Sequence, residues 1–306
     1  MADADAIQWP KKTRELQSNH FDSPIWNDFE FRDGDIIVGT YAKTGTTWMQ
    51  QILSQLIFNG EEGLPVADMS PWVDLRIPPR EVRIQMCEEQ THRRFLKTHL
   101  PLDALVYSPK AYYIYIARDG RDVLFSLYNH HSTANEKWYD ALNNSPGLVG
   151  PPIGKPEGDI HEYYNAWLDK DGYPFWSFWE NIRTWWEYRH LPNLMMLHFQ
   201  NLKDDMPGTM RKIAAFCKID IDESKWDEIL DHCSFEYMKA HATPSVPLGG
   251  IFWDGGAQTF IYKGVNGRWR DVLSEEESEK YERMAREHLG EECAHWLKTG
   301  ELPDDV

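Results

Sequence analysis

The stretch Thr40-Tyr-Ala-Lys-Thr-Gly-Thr-Thr-Trp48 decides the fold, because it lies between the apolar run Ile36-Ile-Val38 and the segment Met49-Gln-Gln-Ile-Leu53. The run before it reads as a buried strand and the segment after it as a helix, so the nonapeptide is a strand-to-helix turn. A helix start presents backbone N–H groups with no partner inside the helix, together with the positive end of the macrodipole. Lys43 adds a cation, and Thr44, Thr46 and Thr47 add three hydroxyls. A turn of this kind binds phosphate. The order of residues differs from the ATP-binding loop G-x-x-x-x-G-K-[ST], since Lys43 precedes Gly45 and Thr46 stands where that loop has its lysine. Something other than ordinary ATP chemistry is indicated.

Outward from this turn, short apolar runs recur at 35–41, 94–97, 112–117 and 194–199, and helical stretches at 46–58, 120–130, 175–188, 207–217, 222–231 and 275–288. Alternation of this kind predicts an α/β fold, doubly wound, with a central parallel sheet flanked by helices. Ligands in such folds gather beyond the carboxyl ends of the strands, where the Lys43 loop lies. The stretch 132–172 carries Asn143-Asn-Ser-Pro-Gly147 and Gly150-Pro-Pro-Ile-Gly154, and is predicted to be an irregular lid or pocket wall. A second loop, 243–256, is rich in proline and glycine and is expected to move. The chain of 306 residues, 42% hydrophobic, is read as one domain spanning 1–306 with insertions at those two places. Ser274-Glu-Glu-Glu277 reads as a helix capping box, not a metal site.

Cys87, Cys217, Cys233 and Cys293 lie far apart without a C-x-x-C pair, which argues against zinc ribbons and disulfide frameworks and fits a reducing cytoplasm. The acidic start Met1-Ala-Asp-Ala-Asp-Ala-Ile7 lacks the apolar core of a signal peptide, and no apolar run approaches the roughly 18 residues that span a bilayer. The expectation is a protein without membrane partners. A net charge of -17 repels polyanions, which excludes nucleic acid as a partner and requires that any bound anion be held by local cations. An aromatic content of 13% is enough for both a core and an aromatic pocket.

Three further segments carry candidate chemistry. In Phe95-Leu-Lys-Thr-His-Leu-Pro101 a short strand delivers Lys97 and His99 to the end of the sheet where Lys43 lies, and alternation puts both on one side. In the segment from Tyr112 to Ser126 a strand feeds a helix, with Arg118 at the crossover, where a guanidinium can grip phosphate through two parallel bonds. Ser126, two turns into that helix, is by itself uninformative. In Phe260-Ile-Tyr-Lys263-Gly-Val-Asn-Gly267-Arg-Trp-Arg270, two glycines and three cations fit either close wrapping of backbone around an anion or a solvated turn.

Together these segments resemble the cytosolic sulfotransferase family, over residues 20–290. Its signature T-Y-P-K-[ST]-G-T-T-W stands here as Thr40 to Trp48 with Ala42 in place of proline, and its K-T-H-L-P stands intact as Lys97 to Pro101. Its arginine followed eight residues later by serine matches Arg118 and Ser126, and its late K-G-x-x-G matches Lys263 to Gly267. The resemblance implies transfer of a sulfuryl group from 3'-phosphoadenosine 5'-phosphosulfate (PAPS) to the hydroxyl of a small phenolic or hydrophobic alcohol acceptor, in line, leaving PAP and needing no metal. It implies His99 as general base, Lys43 as the charge facing the leaving phosphate and Lys97 near the transferred sulfonate. For the donor it implies the loop Lys43, Thr44, Gly45, Thr46 and Thr47, the adenine-stacking pair Trp48 and Phe235, and a 3'-phosphate site of Arg118, Ser126, Tyr262, Lys263 and Gly264.

The chain departs from the pattern at several places. Tyr262 stands where the family usually has arginine, for which Arg268 or Arg270 can compensate; Cys233 replaces a threonine and Phe199 a tyrosine near the adenine. The family's dimer motif is degraded in 270–275, which leaves the oligomeric state open. Two other readings are a nucleotide kinase on a related phosphate-loop fold and a catalytically silent nucleotide-binding protein. The missing G-K-[ST] opposes the first, and intact Lys43 and His99 oppose the second.

Overall fold

A computed structural model describes residues 7–303; Met1 to Ala6, part of the N-terminal stretch considered above, and 304–306 lie outside the described residues. The predicted strands form β1 (Ile36–Thr40), β2 (Phe95–Thr98), β3 (Tyr112–Ala117) and β4 (Leu194–His198). They pair in the order β2-β1-β3-β4, parallel throughout, with Ile36 opposite both Phe95 and Tyr112. Because the chain leaves β1 for one neighbour and returns to the other, the carboxyl end of β1 is a switch point of the topology, where a crevice opens between the diverging connections.

Period-two alternation divides the core between the sheet's two faces. Ile36, Val38, Phe95, Ile114 and Ile116 face Met49, Ile52, Leu53 and Leu56 of helix α1 (Thr46–Ile57), with Met210 and Ile213 of the helix Met206–Cys217. Ile37, Leu96, Tyr113 and Tyr115 face Ile182 and Trp185 of the helix Phe178–Trp186, with Trp296 of the C-terminal helix Glu291–Thr299. Gly39 belongs to the second face, where a Cβ would stand 2.6 Å from the Trp185 ring, so only hydrogen fits.

The register of β1 against β2 is locked at the amino ends by a buried ion pair. Arg94 Nε donates to Asp35 Oδ1 at 2.9 Å, and Asp35 Oδ2 accepts from the Arg32 backbone N–H at 2.8 Å. Both side chains are almost wholly withdrawn from water. Removing one charge strands the other, so Asp35→Ala is expected to lower the unfolding free energy by about 3–5 kcal/mol, and Asp35→Ala with Arg94→Met by less. Urea unfolding of the three proteins checks this.

Two sequence expectations need correction. The stretch 132–172 is not irregular throughout: it holds the helices Glu136–Asn144 and Ile160–Asp169, the first capped by Asn135 and the second by an Asp159–Glu162 capping box. The helix expected over 175–188 occupies Phe178–Trp186, which leaves Phe175 and Trp176 on the preceding turn. The two insertions also join. Ala134 bridges Trp253, the Asp254 N–H donates to Thr133 O at 2.8 Å, and Trp138, Leu142, Val246 and Trp253 close a small satellite core over the crevice. The Ser274–Glu277 cluster is the capping box its sequence suggests, with Ser274 Oγ and Glu277 Oε2 each accepting the other's backbone N–H.

Candidate active site

The turn after β1 is built by its backbone. Lys43 has φ 67° and Gly45 φ 120°, both on the positive side. A Cβ at Gly45 would stand 2.9 Å from the Phe199 ring and 3.2 Å from Ile116, so glycine is required on steric as well as torsional grounds. Thr44 turns inward and donates from Oγ1 to Tyr41 O at 2.9 Å. The first N–H groups of α1 are left facing the crevice, with the Lys43 ammonium 4.0 Å from the Phe260 ring centroid. Burial, with Lys97 and Arg118 nearby, pushes the Lys43 amine down to about 7.

His99, just past β2, is held by β1. Its Nδ1 lies 3.0 Å from the Thr40 carbonyl oxygen and 2.8 Å from Thr40 Oγ1. A carbonyl oxygen only accepts, so Nδ1 carries the proton and Nε2 the lone pair. Its own carbonyl accepts from Asn181 Nδ2 at 2.8 Å, and Trp72 and Trp176 pack on the ring with centroids 4.5 Å and 5.5 Å away. Burial, and after it Lys97, pushes the imidazole down to about 3, so it is neutral across the physiological range. Lys97 lies on the same side and is likewise pushed down, to about 8, by burial and by Arg83.

Arg118, at the end of β3, spans two loops. It donates from Nε to Asn266 Oδ1 at 2.7 Å, from Nη2 to Val265 O at 2.8 Å and from Nη1 to Lys43 O at 3.4 Å, with its guanidinium 4.4 Å from the Phe199 ring. The late loop is anchored a second time where the Gly267 N–H donates to Asp122 Oδ1 at 2.8 Å. Within it Arg268 stacks on Tyr262 at 4.8 Å and reaches the phenol oxygen at 3.4 Å from Nη2. Arg270 instead packs on Trp269 at 4.5 Å. Gly264 lies so close to Phe235 that a Cβ would be 2.6 Å from the ring. Trp48 is fixed by its Nε1–H, which donates to Cys233 O at 2.8 Å, and meets Phe199 edge-on at 5.4 Å.

Lys43, Gly45, Trp48, Lys97, His99, Arg118, Tyr262, Gly264 and Arg268 open into one cavity of about 710 Å³. The Lys43 loop, Trp48, Phe235 and the late loop line it together with Trp72, Trp138, Trp176, Phe252 and Trp253, so that both insertions contribute wall.

The family described as Sulfotransferase domain matches residues 33–292. This chain belongs to the sulfotransferase family. Its curated relatives include a glycolipid sulfotransferase of Mycobacterium bovis, 27% identical with 91% of this chain and 92% of the relative covered. Sulfotransferase 1B1 of Mus musculus is also 27% identical, over 86% of this chain and 85% of that one. Among solved structures, mouse sulfotransferase SULT7A1 complexed with PAP superposes with a TM-score of 0.68 at 19% identity, covering 90% and 91% of the two chains. Retinol dehydratase in complex with retinol and PAP superposes with 0.67 at 21% identity, covering 92% and 86%. At such identities these two show a shared fold. The chain is thus an enzyme of the family whose sulfuryl donor is PAPS.

In this sulfotransferase the sequence-predicted residues Lys43, Thr46, Thr47, Trp48, Lys97, His99, Arg118, Ser126, Phe235, Tyr262, Lys263 and Gly264 all line the one cavity, with Gly45. Thr44 does not; its hydroxyl braces the loop from behind. Of the two arginines proposed to replace the guanidinium missing at Tyr262, Arg268 lines the cavity and Arg270 does not. Sequence reading missed Trp72, Trp176, His130 and Arg83, which reach the sulfotransferase cavity from segments without a motif. Among the described residues no cluster of three His, Cys, Asp or Glu side chains is arranged to hold a metal ion, and no helix is long and apolar enough to cross a membrane.

Proposed function

We propose that this sulfotransferase moves the sulfuryl group of PAPS to the hydroxyl of a small phenol or hydrophobic alcohol, with His99 as general base. The observation that carries the reading is the fixed tautomer of His99, whose Nε2 lone pair shares a cavity with Lys43. Bound PAPS supplies a sulfur whose bond to the 5'-phosphate oxygen breaks as the bond to the acceptor oxygen forms. His99 Nε2 takes the hydroxyl proton, and the resulting imidazolium is stabilised through Nδ1–H by the Thr40 carbonyl. Lys43 and the first N–H groups of α1 face the phosphate on which charge grows, the electrostatic contribution that is usually largest. Lys97, on the His99 side, holds positive charge beside the group in transit.

The residues present fit the donor. Gly45 and Gly264 let backbone approach where a Cβ would be blocked, and Trp48 and Phe235 offer flat faces for a purine. Arg118, Ser126, Lys263 and Arg268 serve the 3'-phosphate, Arg268 in place of the guanidinium absent at Tyr262. Arg268→Ala is therefore expected to weaken PAP binding roughly 10- to 100-fold, as loss of a charge-assisted bond does, while Arg270→Ala leaves it unchanged. Isothermal titration with PAP reads both.

The aromatic walls support a flat apolar acceptor, as does the retinol bound by a structural neighbour. We read the chain as one domain over 1–306, and four buried free thiols support work in the reducing cytoplasm. The test supplies radiolabelled PAPS with panels of phenols and alcohols. Label on an acceptor hydroxyl supports the proposal. PAP binding without transfer would make the protein a silent nucleotide binder, and phosphate transfer from ATP would make it a kinase.

A further inference from the structure

Arg83 stands in the helix Arg80–Glu88 and lines the same cavity beside Ile77, Pro78 and Met86. It is 6% exposed. One nitrogen, Nη2, donates to the Ile77 carbonyl; Nε is sealed without a hydrogen-bond partner, and Nη1 makes no hydrogen bond among the described residues. No carboxylate of the described residues lies within 4.0 Å of it. Arg80, one turn earlier, pairs with both Asp22 and Asp28. The carboxylates on this side are committed or distant: Asp74 accepts from the indole nitrogens of Trp26 at 2.9 Å and Trp72 at 2.5 Å, and Asp68 is exposed at the rim.

A guanidinium withdrawn from water with one carbonyl for a partner is costly, and natural interiors keep such groups where something pairs them. Burial already depresses Arg83 below its ordinary value, with Cys87 and then Asp74 acting against the shift. Neighbouring Lys97 adds a second positive charge instead of relieving the first. Lys97 lies two residues from His99 and is occupied at the transfer point in the reading above. Arg83 faces cavity wall formed by Ile77, Pro78 and Met86, with no part in that chemistry.

We propose that Arg83 is a specificity-determining residue that receives a carboxylate on the acceptor, so that this enzyme prefers hydroxylated, above all phenolic, carboxylic acids to neutral phenols. The inference rests on the sulfotransferase reading and deepens it by naming the acceptor class. A carboxylate supplies the planar two-oxygen partner that a guanidinium matches. The negative net charge of the protein does not oppose it, because a small monoanion inside the cavity meets the local cations at contact distance and the surface field only through screening solvent.

The test is equilibrium binding to the PAP-loaded protein, with no transfer required. Three acids of increasing reach, 4-hydroxybenzoate, (4-hydroxyphenyl)acetate and 3-(4-hydroxyphenyl)propanoate, are each titrated against their own primary amide. At least one acid is expected to bind roughly 10-fold or more tightly than its amide, the size of effect that a charge-assisted bond gives. Arg83→Met removes the preference without changing amide or PAP affinity, and Arg83→Lys keeps part of it. Should Arg83→Met fail to fold, the wild-type ratios and Arg83→Lys decide. Amides binding as tightly as acids in all three pairs, or Arg83→Met weakening acid and amide alike, would overturn the proposal. Failure of the His99 reading shows elsewhere, as transfer that persists without the imidazole, and leaves the acid-to-amide ratio intact.

Discussion

His99→Gln is expected to lower kcat by about 10²- to 10⁴-fold, the usual worth of a positioned general base, while the affinity for PAP stays as in the wild type. The two parts of this expectation come from different parts of the site. The imidazole packs against Trp72 and Trp176, whereas the reading proposed above gives the nucleotide to the late loop and the Trp48 face. A glutamine fills most of the ring's space and leaves the His99 carbonyl free to accept from Asn181 as before. A loss of affinity for PAP equal to the loss of kcat would mean a collapsed site, and a kcat within tenfold of wild type would remove His99 from proton transfer.

The second large effect belongs to Lys43. Lys43→Ala is expected to reduce kcat/KM by roughly 10²- to 10³-fold, the range seen when one preorganised donor facing developing charge is removed. Its pH dependence follows from the direction of the shift. Burial and two neighbouring cations lower the amine to about 7, so the free enzyme carries the charge below that pH and loses it above. The ratio kcat/KM, which reports the free enzyme, should fall as pH rises through 7. Lys97, lowered to about 8, deepens the fall, whereas His99, lowered to about 3, imposes no acid limb above that region. Lys43→Arg keeps its charge and should lose the limb near 7. A profile that rises through this range would contradict the assignment.

What could be read from the chain, and what could not, divides along a physical line. Four strands, α1 and the residues of four motifs were legible because each is local: an apolar run, a phosphate-sized turn before a helix, a lysine two residues from a histidine. The helix Ile160–Asp169 was legible in principle from the D-x-x-E of its capping box, but neighbouring Pro-Pro and Asn-Ser-Pro-Gly sequences masked it. The stretch 132–172 was legible as a pocket wall, but the individual aromatic side chains that meet there were not. Trp138 and Trp253 meet because the two insertions pack on each other, while Trp72 and Trp176 arrive from segments outside both, and such closure leaves no trace in spacing. The same holds for Arg118. Its position pointed to an anion site, but its present partners, Asn266 and Val265, lie far along the chain.

One consequence follows from the atom that orients His99. In triads of the serine-protease kind a side-chain carboxylate holds the imidazole, and a single base change can delete it. Here the holder is the main-chain carbonyl of Thr40, in the middle of a four-stranded sheet. Every amino acid brings the same carbonyl. Substitution at position 40 removes the hydroxyl contacts to His99 Nδ1 and Thr46 Oγ1 but not the carbonyl, and the tautomer survives as long as β1 keeps its place between β2 and β3. A saturation screen for lost sulfuryl transfer would therefore find His99 without finding any second position that reproduces its phenotype through loss of orientation. With His99 as the proposed base, the enzyme's proton chemistry is inherited with its topology, and drift in the sequence around the site can remodel the acceptor it takes without unsettling that base.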